Sequence, residues 1–412
     1  MGRVPVRILP RLLSTPQPVT NTCPFPIALK NALLIVLDSV GIGFAPDAKD
    51  FGDEGANTMG HIRETVPEMD LPNLDGAGLA HAEALAAGDP LPDSPTTMSW
   101  GCLREVSAGK DTTTGHWEIA GAELKEPFAT FEKFPDSLVA EMESLAKVTF
   151  IGNYSQSGTV ILEELGEEHV KTGQPILYTS ADSVIQIAAH EEIIPPERLY
   201  EICRACRIIA DRERIGRVIA RPFEGTAGNF SRTSRRHDFS LQPPPTVLNA
   251  LQAKGVTTVG VGKISDIFAD SGIEISHPTR NNAHGMEVID TLLSDPPESP
   301  TLIFANLVDF DMLYGHRRDP QGYAGSLIEF DQWLGTLLPR IDDNTLVMIT
   351  ADHGNDPTWK GTDHTREMVP LLLKSPSIPG CLGRRESFSD IAATLADWFA
   401  LKDFDAGGSS VI

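Results

Sequence analysis

The feature that most constrains the fold of this chain is a set of short, uninterrupted apolar runs. They cover residues 32–37, 257–261, 302–307 and 346–349. Apolar residues without alternation are typical of strands buried on both faces, as in a parallel sheet covered by helices. Helical patterns lie between and after the runs, for example at residues 390–399. The sequence therefore predicts an α/β fold in which a mostly parallel sheet is flanked by helices.

A second block interrupts this pattern. Strand-like pieces at 148–151, 176–179 and 184–188 alternate with helical ones, and a proline-rich QPPPT follows at 242–246. A chain of 412 residues exceeds what one core usually organises, so we interpret the block as a smaller, inserted α/β domain. The predicted division is an N-terminal extension at 1–27, a metal-binding catalytic core at 28–122 and 243–412, and a cap domain at 123–242.

The charge balance narrows the class of partner. The formal net charge is −23, and a broad negative field repels the phosphates of nucleic acids. No apolar run approaches the roughly 20 residues that span a bilayer. We therefore predict neither a nucleic-acid partner nor a membrane partner. A small anionic substrate would need a local basic patch or metal ions to bind here.

Two features bear on the cellular compartment. Five scattered cysteines suit a reducing compartment better than a disulfide framework. Residues 1–27 contain three arginines and no acid, as import signals do, but six prolines disfavour the amphipathic helix that such a signal needs. We predict a cytoplasmic protein in which residues 1–27 are a disordered tail or precede the true start.

Three of the apolar runs lead directly into acidic residues. Asp38 follows the first run, Asp309 and Asp311 follow the third, and Asp352 with His353 follows the fourth. The carboxyl ends of the strands form one edge of an open α/β sheet, and ligands bind outside that edge. A single aspartate there is usually a turn residue or a helix cap. Three such places, with histidines beside them, predict a shared site.

Two further histidines extend this set. His316 stands in DMLYGH and His364 in TDHTRE. Carboxylate and imidazole together suit Mn²⁺ or Zn²⁺, whereas an all-oxygen set would suit Mg²⁺ or Ca²⁺. The sequence therefore predicts two neighbouring metal ions. The candidate ligands are Asp38, Asp311, His316, Asp352, His353 and His364.

A run of three threonines, in GKDTTTGHWE at residues 109–118, has two interpretations. A hydroxyl is a poor nucleophile at neutral pH unless a base or a metal activates it, and the candidate metal site could do so. Alternatively, the threonines cap the start of a helix. Both hold together, because a helix N-terminus also favours a phosphate on such a hydroxyl.

An arginine-rich stretch stands out in this acidic chain. Residues 204–236 contain nine arginines and three acids. Such a run is usually a solvated surface, but an anionic substrate must overcome the overall repulsion, so we interpret it as a phosphate-binding region of the cap domain. The candidates are Arg217, Arg221, Arg232, Arg235 and Arg236.

Seven motifs together resemble one enzyme family. They are VLDSVGIGFAPDA, GKDTTTGHWEIAG, YTSADSVIQIAAHE, GRVIARPFEG, GVGKISDIF, NLVDFDMLYGHRRD and TADHGNDPTWKGTDHTRE. They are similar to the phosphopentomutases of the prokaryotic type, in the alkaline phosphatase superfamily, from about residue 31 to the C-terminus. ADHG alone would indicate only the superfamily, whereas the threonine motif and DFDMLYGHRRD indicate the family.

The resemblance implies a fold and an activity. The fold is an alkaline-phosphatase-like core with an inserted cap, and the cofactors are two metal ions, typically Mn²⁺, with Zn²⁺, Co²⁺ or Mg²⁺ as alternatives. The activity is an isomerase of pentose phosphate and nucleoside metabolism. It interconverts ribose or deoxyribose 1-phosphate and 5-phosphate through a phosphothreonine enzyme and a bisphosphate intermediate, primed by a sugar bisphosphate activator.

The resemblance also implies roles for individual residues. Thr112 would be the phosphorylated threonine. One metal ion would bind Asp38, Asp352, His353 and the Thr112 oxygen, and the other would bind Asp311, His316 and His364. The pentose phosphate would contact Ser180, Asp182, Arg217, Ile219, Arg232 and Lys263.

Rival functions stay open at this point. One is another phosphoryl-transfer enzyme with two metal ions. It would be a phosphatase, in which water discharges the threonine, or a cofactor-independent phosphoglycerate mutase, which typically presents a serine where this chain has a threonine. A rival of another class is a metal-stabilised binding protein for sugar phosphates. That protein would not require an activated hydroxyl beside the metal ions.

Overall fold

The fold is described from a computed structural model. It covers residues 29–180, 183–295, 298–377 and 379–412. The predicted extension at 1–27 and the predicted substrate contact Asp182 lie outside these residues.

The described part of the chain alternates strands and helices. The strands are β1 (Asn31–Leu37), β2 (Ser99–Leu103), β3 (Ile151–Ser155), β4 (Ile176–Thr179), β5 (Val184–His190), β6 (Arg217–Thr226), β7 (Asn229–Arg232), β8 (His237–Ser240), β9 (Thr257–Val261), β10 (Ile275–His277), β11 (Thr301–Leu307), β12 (Thr345–Thr350), β13 (Val369–Lys374) and β14 (Cys381–Arg385). The α-helices are α1 (Thr58–Thr65), α2 (Pro72–Ala77), α3 (Leu79–Ala87), α4 (Thr112–Ile119), α5 (Asp136–Ala146), α6 (Val160–Thr172), α7 (Pro196–Arg212), α8 (Val247–Ala253), α9 (Ile264–Ile267), α10 (Asn282–Ser294), α11 (Pro320–Leu337) and α12 (Ser389–Trp398).

The larger sheet has eight strands in the order β10-β9-β11-β1-β12-β13-β2-β14. The first five are parallel to their neighbours. Strand β13 is antiparallel to both β12 and β2, and β14 is parallel to β2. The predicted fold class, an α/β fold with a mostly parallel sheet flanked by helices, is confirmed.

The four predicted runs of this sheet form β1, β9, β11 and β12 with ends within one residue of the prediction. Strands β11 and β12 are buried along their whole length, which explains why their side chains are apolar without alternation. The sequence did not reveal β2, β13 and β14. Each of these strands contains glycine or proline, and such residues weaken a strand pattern.

The register of the central strands brings their carboxyl ends level. Leu37 of β1 pairs with Leu307 of β11, and Val36 of β1 pairs with Thr350 of β12. The residues that follow these strands therefore leave the sheet side by side. The edge so formed is the one at which the sequence analysis predicts the site.

A second sheet is formed in the middle of the chain. Its order is β3-β4-β5-β6-β7, and β8 also pairs with β6. Helices α5 and α7 pack on one apolar cluster beside this sheet, and α6 packs on another. This sheet thus has its own small cores, separate from the large cluster around β1.

Two of the three strands predicted for this block are confirmed, and one is wrong. The predictions at 176–179 and 184–188 correspond to β4 and β5. The predicted strand at 148–151 is instead the connection from α5, and β3 begins only at Ile151. Val148 and Phe150 are apolar because they pack against the small core, and the Phe150 amide donates to Glu143. Apolar character alone does not separate such a connection from a strand.

Among the residues that the structure describes, every helix is too short or too polar to cross a membrane.

Candidate metal centre and active site

The six predicted metal ligands meet at the carboxyl edge of the larger sheet. Asp38 follows β1, Asp352 and His353 follow β12, and all three are nearly fully buried. The His353 Nε2 atom lies 3.5 Å from Asp38 Oδ1 and 3.3 Å from Asp352 Oδ2. These side chains are far apart in the sequence, so the sheet register is what brings them together.

The remaining three ligands stand beside this group. A π-helical turn, Phe310–Gly315, begins just after β11 and carries Asp311. Asp311 Oδ2 lies 3.2 Å from His316 Nε2, and Asp311 Oδ1 lies 3.7 Å from His364 Nε2. The ring centroids of His353 and His364 are 4.2 Å apart, so the two groups are contiguous.

Asp311 links the two groups more closely than the resemblance implies. One set of ligand atoms within 4.8 Å of one another is Asp311, His316 and His364, and another is Asp38, Asp311 and His353. Asp352 belongs to neither of these sets, although it lies close to His353. Asp311 is therefore within reach of both candidate ion positions.

The charges in this site fit divalent cations. Asp38 Oδ1 is buried without a hydrogen-bond donor, and Asp352 Oδ2 is buried with His116 Nδ1 at 3.1 Å. Burial, followed by the neighbouring carboxylates of Asp352 and Asp311, raises the pKa of Asp38 to about 7. Buried carboxylates without donors are costly unless a positive charge compensates them. Bound cations would supply that charge.

The histidine tautomers also fit metal binding. The Nδ1 atom of His353 lies 3.0 Å from the Gly354 carbonyl, and that of His316 lies 2.7 Å from the Thr362 carbonyl. A carbonyl only accepts, so the proton stands on Nδ1 in both rings. The Nε2 lone pairs therefore point into the site, as they do in histidines that bind metals.

Thr112 is the first residue of helix α4 and faces this centre. Its Oγ1 lies 3.1 Å from His353 Nε2. The cap of the helix is Asp111, whose Oδ1 accepts from the amides of Thr113 and Thr114 and whose Oδ2 accepts from the Thr114 hydroxyl. Because Asp111 caps the helix, the Thr112 hydroxyl is not needed as a cap and is available to react.

Helix α4 lies directly against the strand end that carries Asp352. Gly115, one turn after Asp111, places no side chain between the helix and this strand end. A Cβ atom at this position would stand 2.0 Å from the Asp352 carbonyl oxygen. Only glycine permits so close an approach of the two backbones.

Three polar residues around the centre were not predicted. Asn306 Nδ2 donates to Asp38 Oδ2 at 3.0 Å and lies 3.1 Å from His116 Nε2. His116 Nδ1 in turn donates to the Thr112 carbonyl at 2.8 Å. Asn355 Nδ2 donates to Asp311 Oδ1 at 2.7 Å. The only signal for them in the sequence is that each stands within five residues of a predicted site residue.

A cavity of about 230 Å³ opens in the second sheet domain. It is lined by Ser180, Val184, Gln186, Arg217, Ile219, Arg221 and Arg236. Three of the residues predicted to bind the sugar phosphate, Ser180, Arg217 and Ile219, are therefore together. Three guanidinium groups around one small space suit an anion such as a phosphate.

The other predicted substrate residues lie at different distances from this cavity. Arg232 is not among the lining residues, and its guanidinium lies against Gly158. Lys263 lies outside this cavity, because it follows β9 of the larger sheet and precedes α9. Arg235 does not line the cavity, because it pairs with Glu191.

A larger cavity of about 560 Å³ lies elsewhere on the same domain. Its lining includes Glu191, Glu192 and Glu224 but no arginine or lysine. A negative lining disfavours phosphate, so the smaller cavity is the better candidate for an anionic ligand.

Comparisons with known proteins agree with the resemblance that the sequence motifs indicate. The model of the Metalloenzyme superfamily matches residues 30–403. A phosphopentomutase of Syntrophotalea carbinolica is 52% identical over 379 residues, which cover 90% of this chain and 95% of that protein. A phosphopentomutase of Caldanaerobacter subterraneus subsp. tengcongensis is 50% identical over 386 residues, which cover 92% of this chain and 97% of that protein. A solved structure, that of the PH0037 protein from Pyrococcus horikoshii, is 15% identical with a TM-score of 0.48 and covers 92% of this chain and 99% of its own.

Proposed function

The chain belongs to the phosphopentomutase family, within the metalloenzyme superfamily, and we propose that Thr112 carries the phosphoryl group in its reaction. The function that the site supports best is interconversion of the 1-phosphate and 5-phosphate of ribose or deoxyribose. Such an isomerisation needs a group that holds a phosphoryl group between two hydroxyls of one sugar. Thr112 is that group.

One observation carries the assignment of Thr112. Its hydroxyl oxygen lies 3.1 Å from His353 Nε2, and His353 Nε2 in turn lies 3.5 Å from Asp38 Oδ1, a buried oxygen that lacks a donor. The hydroxyl also stands at the N-terminus of α4, where the first amides of a helix favour a phosphate. A binding protein would not need a hydroxyl at this point.

Two divalent cations fit the centre. Asp38, Asp352, His353 and Thr112 would hold one, and Asp311, His316 and His364 would hold the other. Such ions, when bound, lower the pKa of a hydroxyl and stabilise the charge on a phosphoryl group in transfer. We propose Mn²⁺, because carboxylate and imidazole together suit it, and Zn²⁺, Co²⁺ and Mg²⁺ are the alternatives.

The reaction is a double transfer at Thr112. The phosphothreonine gives its phosphoryl group to the C1 hydroxyl of ribose 5-phosphate, so the bond from phosphorus to Thr112 Oγ1 breaks as a bond to the sugar oxygen forms. The sugar hydroxyl loses the proton that Oγ1 regains. The resulting 1,5-bisphosphate turns round and returns its 5-phosphoryl group to Thr112, which leaves ribose 1-phosphate. A sugar bisphosphate supplies the first phosphoryl group.

The cavity in the second domain would bind the phosphate that is not reacting. Ser180, Arg217 and Ile219 line it, and Arg232, on the same sheet, would be a further contact of that phosphate. Lys263 would approach the sugar from the core side, since it follows β9. In this proposal, residues 28–122 and 243–412 form the catalytic core, and residues 123–242 form a cap that captures the substrate and excludes water.

The direct test is a substrate assay with the whole protein. The protein, loaded with Mn²⁺ and primed with a sugar bisphosphate, converts ribose 5-phosphate to ribose 1-phosphate, and a chelator stops the conversion. Thr112→Ala removes the carrier, so we expect turnover to fall by about four orders of magnitude or more while bound metal is retained. Thr113→Ala is the matched control, and we expect it to stay within a few fold of the parent protein.

Other outcomes of this assay favour the rival functions. Inorganic phosphate as the main product would indicate a phosphatase. Turnover of phosphoglycerates in place of pentose phosphates would indicate a phosphoglycerate mutase. Tight binding of pentose phosphates without any turnover, with metal bound, would indicate a binding protein.

The proposal extends to surroundings and partners. The substrates are small pentose phosphates, and neither nucleic acid nor a membrane takes part. The location is cytoplasmic, which is supported by the free state of all four cysteines in the described part of the chain.

A further inference from the structure

The segment 105–109, which leads to Thr112, is held unusually firmly for an irregular loop. It forms neither helix nor strand, yet Glu105 and Ser107 are buried. Two buried, charged side chains from other parts of the chain bind its backbone. One of them binds its carbonyls and the other binds its amides.

Arg366 binds the carbonyls. Its guanidinium donates to the Glu105 carbonyl at 2.7 Å and to the Gly109 carbonyl at 2.6 Å. It also donates to the Glu105 carboxylate at 2.7 Å and to the Asp47 carboxylate at 2.9 and 3.2 Å. The side chain is 1% exposed, and each of its three nitrogens is used.

Glu118, on helix α4, binds the amides. Its carboxylate accepts from Val106 at 3.0 Å and from Ser107 at 2.7 Å. It also accepts from the Phe388 amide at 2.9 Å. The loop is therefore held on one side by the helix that begins with Thr112, and on the other side by Arg366.

The chain around Arg366 also reaches the metal centre. His364, a candidate metal ligand, is two residues earlier. The Arg366 amide donates to Asp53 at 3.0 Å, and the same carboxylate oxygen of Asp53 accepts from Lys110 at 2.9 Å. One short segment thus carries a candidate ligand and grips the loop before Thr112 at two places.

From these contacts we propose that Arg366 is a positioning residue, which sets the place of the Thr112 hydroxyl relative to the metal centre. The proposal rests on the proposed function, because it takes Thr112 as the phosphoryl carrier. Arg366 does not touch the reacting atoms. It acts by fixing the loop and, with it, the first turn of α4.

A role in stability alone fits the contacts less well. A buried ion pair adds little net stability over apolar residues of similar size. Arg366, however, donates two of its hydrogen bonds to carbonyls that are four residues apart in one loop. A planar guanidinium makes such bonds simultaneously, whereas a lysine ammonium keeps the charge without the fork.

The test is Arg366→Lys in the whole, Mn²⁺-loaded protein. We expect kcat to fall about 10- to 100-fold, because a displacement near 1 Å can cost that much. The KM for ribose 5-phosphate and the bound Mn²⁺ should stay within about threefold. Amide hydrogen exchange in residues 105–112 should be faster than in the parent protein. Arg384→Lys is the matched control, because Arg384 also donates to backbone carbonyls, but to those of Leu85 and Ala86 rather than to those of the loop.

The outcomes separate this proposal from the proposed function. Unchanged kcat together with unchanged exchange in residues 105–112 overturns the role of Arg366. If the parent protein lacks mutase activity, the proposed function is wrong. Faster exchange in residues 105–112 of Arg366→Lys would in that case still show that Arg366 anchors the loop. If Arg366→Lys does not fold, Glu105→Gln weakens the same grip while it keeps the side-chain shape. We then expect a kcat loss of about threefold to tenfold, and full activity in that variant refutes the proposal.

Discussion

The metal centre and the arginine-lined cavity are built in different ways. At the metal centre, Asp38 and Asp352 are buried, and a specific donor fixes one oxygen of each: Asn306 for Asp38 and the Ser39 amide for Asp352. In the cavity, the side chain of Arg217 is 39% exposed and forms an ion pair with Asp238 at 3.6 Å. Arg236 is 45% exposed and pairs with the same carboxylate.

The difference corresponds to two tasks. A phosphoryl transfer depends on the placement of the reacting atoms, which buried hydrogen bonds secure. Capture of a phosphate depends on charge, which exposed arginines supply over a range of positions. We therefore expect changes at the buried layer to lower kcat and changes in the cavity to raise KM.

The strongest test of this contrast is Asn306→Leu, which keeps the volume of the side chain. It removes the donor to Asp38 and the neighbour of His116 Nε2. We expect kcat to fall about 100-fold, with weaker metal binding, as when a residue that orients a metal ligand is lost. Asn73→Leu is the control, since Asn73 donates to Asp331 at 2.9 Å in a remote part of the core. Equal losses in the two variants would remove the special role of Asn306.

The complementary test is Arg217→Ala in the cavity. Loss of a charged hydrogen bond to phosphate costs about 1.5–2 kcal/mol, so we expect KM to rise roughly 10- to 30-fold while kcat falls less. Steady-state kinetics with ribose 5-phosphate measure both values. Arg235→Ala is the control, because Arg235 pairs with Glu191 and does not line the cavity. A fall in kcat without a change in KM would break the contrast.

The smallest effect concerns the stability of the second domain. His169 is buried, its Nδ1 donates to the Gln174 carbonyl at 2.7 Å, and its Nε2 accepts from the His190 amide at 2.8 Å. Burial lowers the pKa of His169, so the unfolded chain binds more protons as the pH falls towards and below about 6.5, and stability declines. His169→Gln should lower the free energy of unfolding by roughly 1–3 kcal/mol at pH 7.5. Between pH 7.5 and 5.5, the free energy of unfolding should fall less in this variant than in the parent protein. Urea unfolding at the two pH values measures this, and identical pH slopes would contradict it.

Much of the fold could be predicted because burial leaves a local trace. Residues 302–307 are apolar throughout since β11 is covered on both faces, and the aspartates that follow it mark the sheet edge. The sheet edge was enough to group Asp38, Asp311, Asp352 and His353, whereas His316 and His364 were added from the motifs in which they stand. Strand β13 is apolar and buried as well, but Pro370 and its antiparallel pairing to β2 break the pattern of alternating strands and helices.

The surrounding layer could not be predicted, because its contacts are distant in sequence. Asn306 and Asp38 are 268 residues apart, and Arg366 and Glu105 are 261 residues apart. A single asparagine or arginine can form its hydrogen bonds with many different partners, and only the folded structure shows which partners it has. Composition likewise placed five arginines in one phosphate site, whereas Arg235 is drawn to Glu191.

The bare backbone contact at Gly115 has a further consequence. Because helix α4 rests on the Asp352 carbonyl without an intervening side chain, covalent dimensions rather than adjustable rotamers define the gap between the Thr112 hydroxyl and the strand end. We therefore expect changes in the outer loops to leave that gap unaltered. Any larger residue at position 115 would push helix α4 away from the strand end and so change this gap.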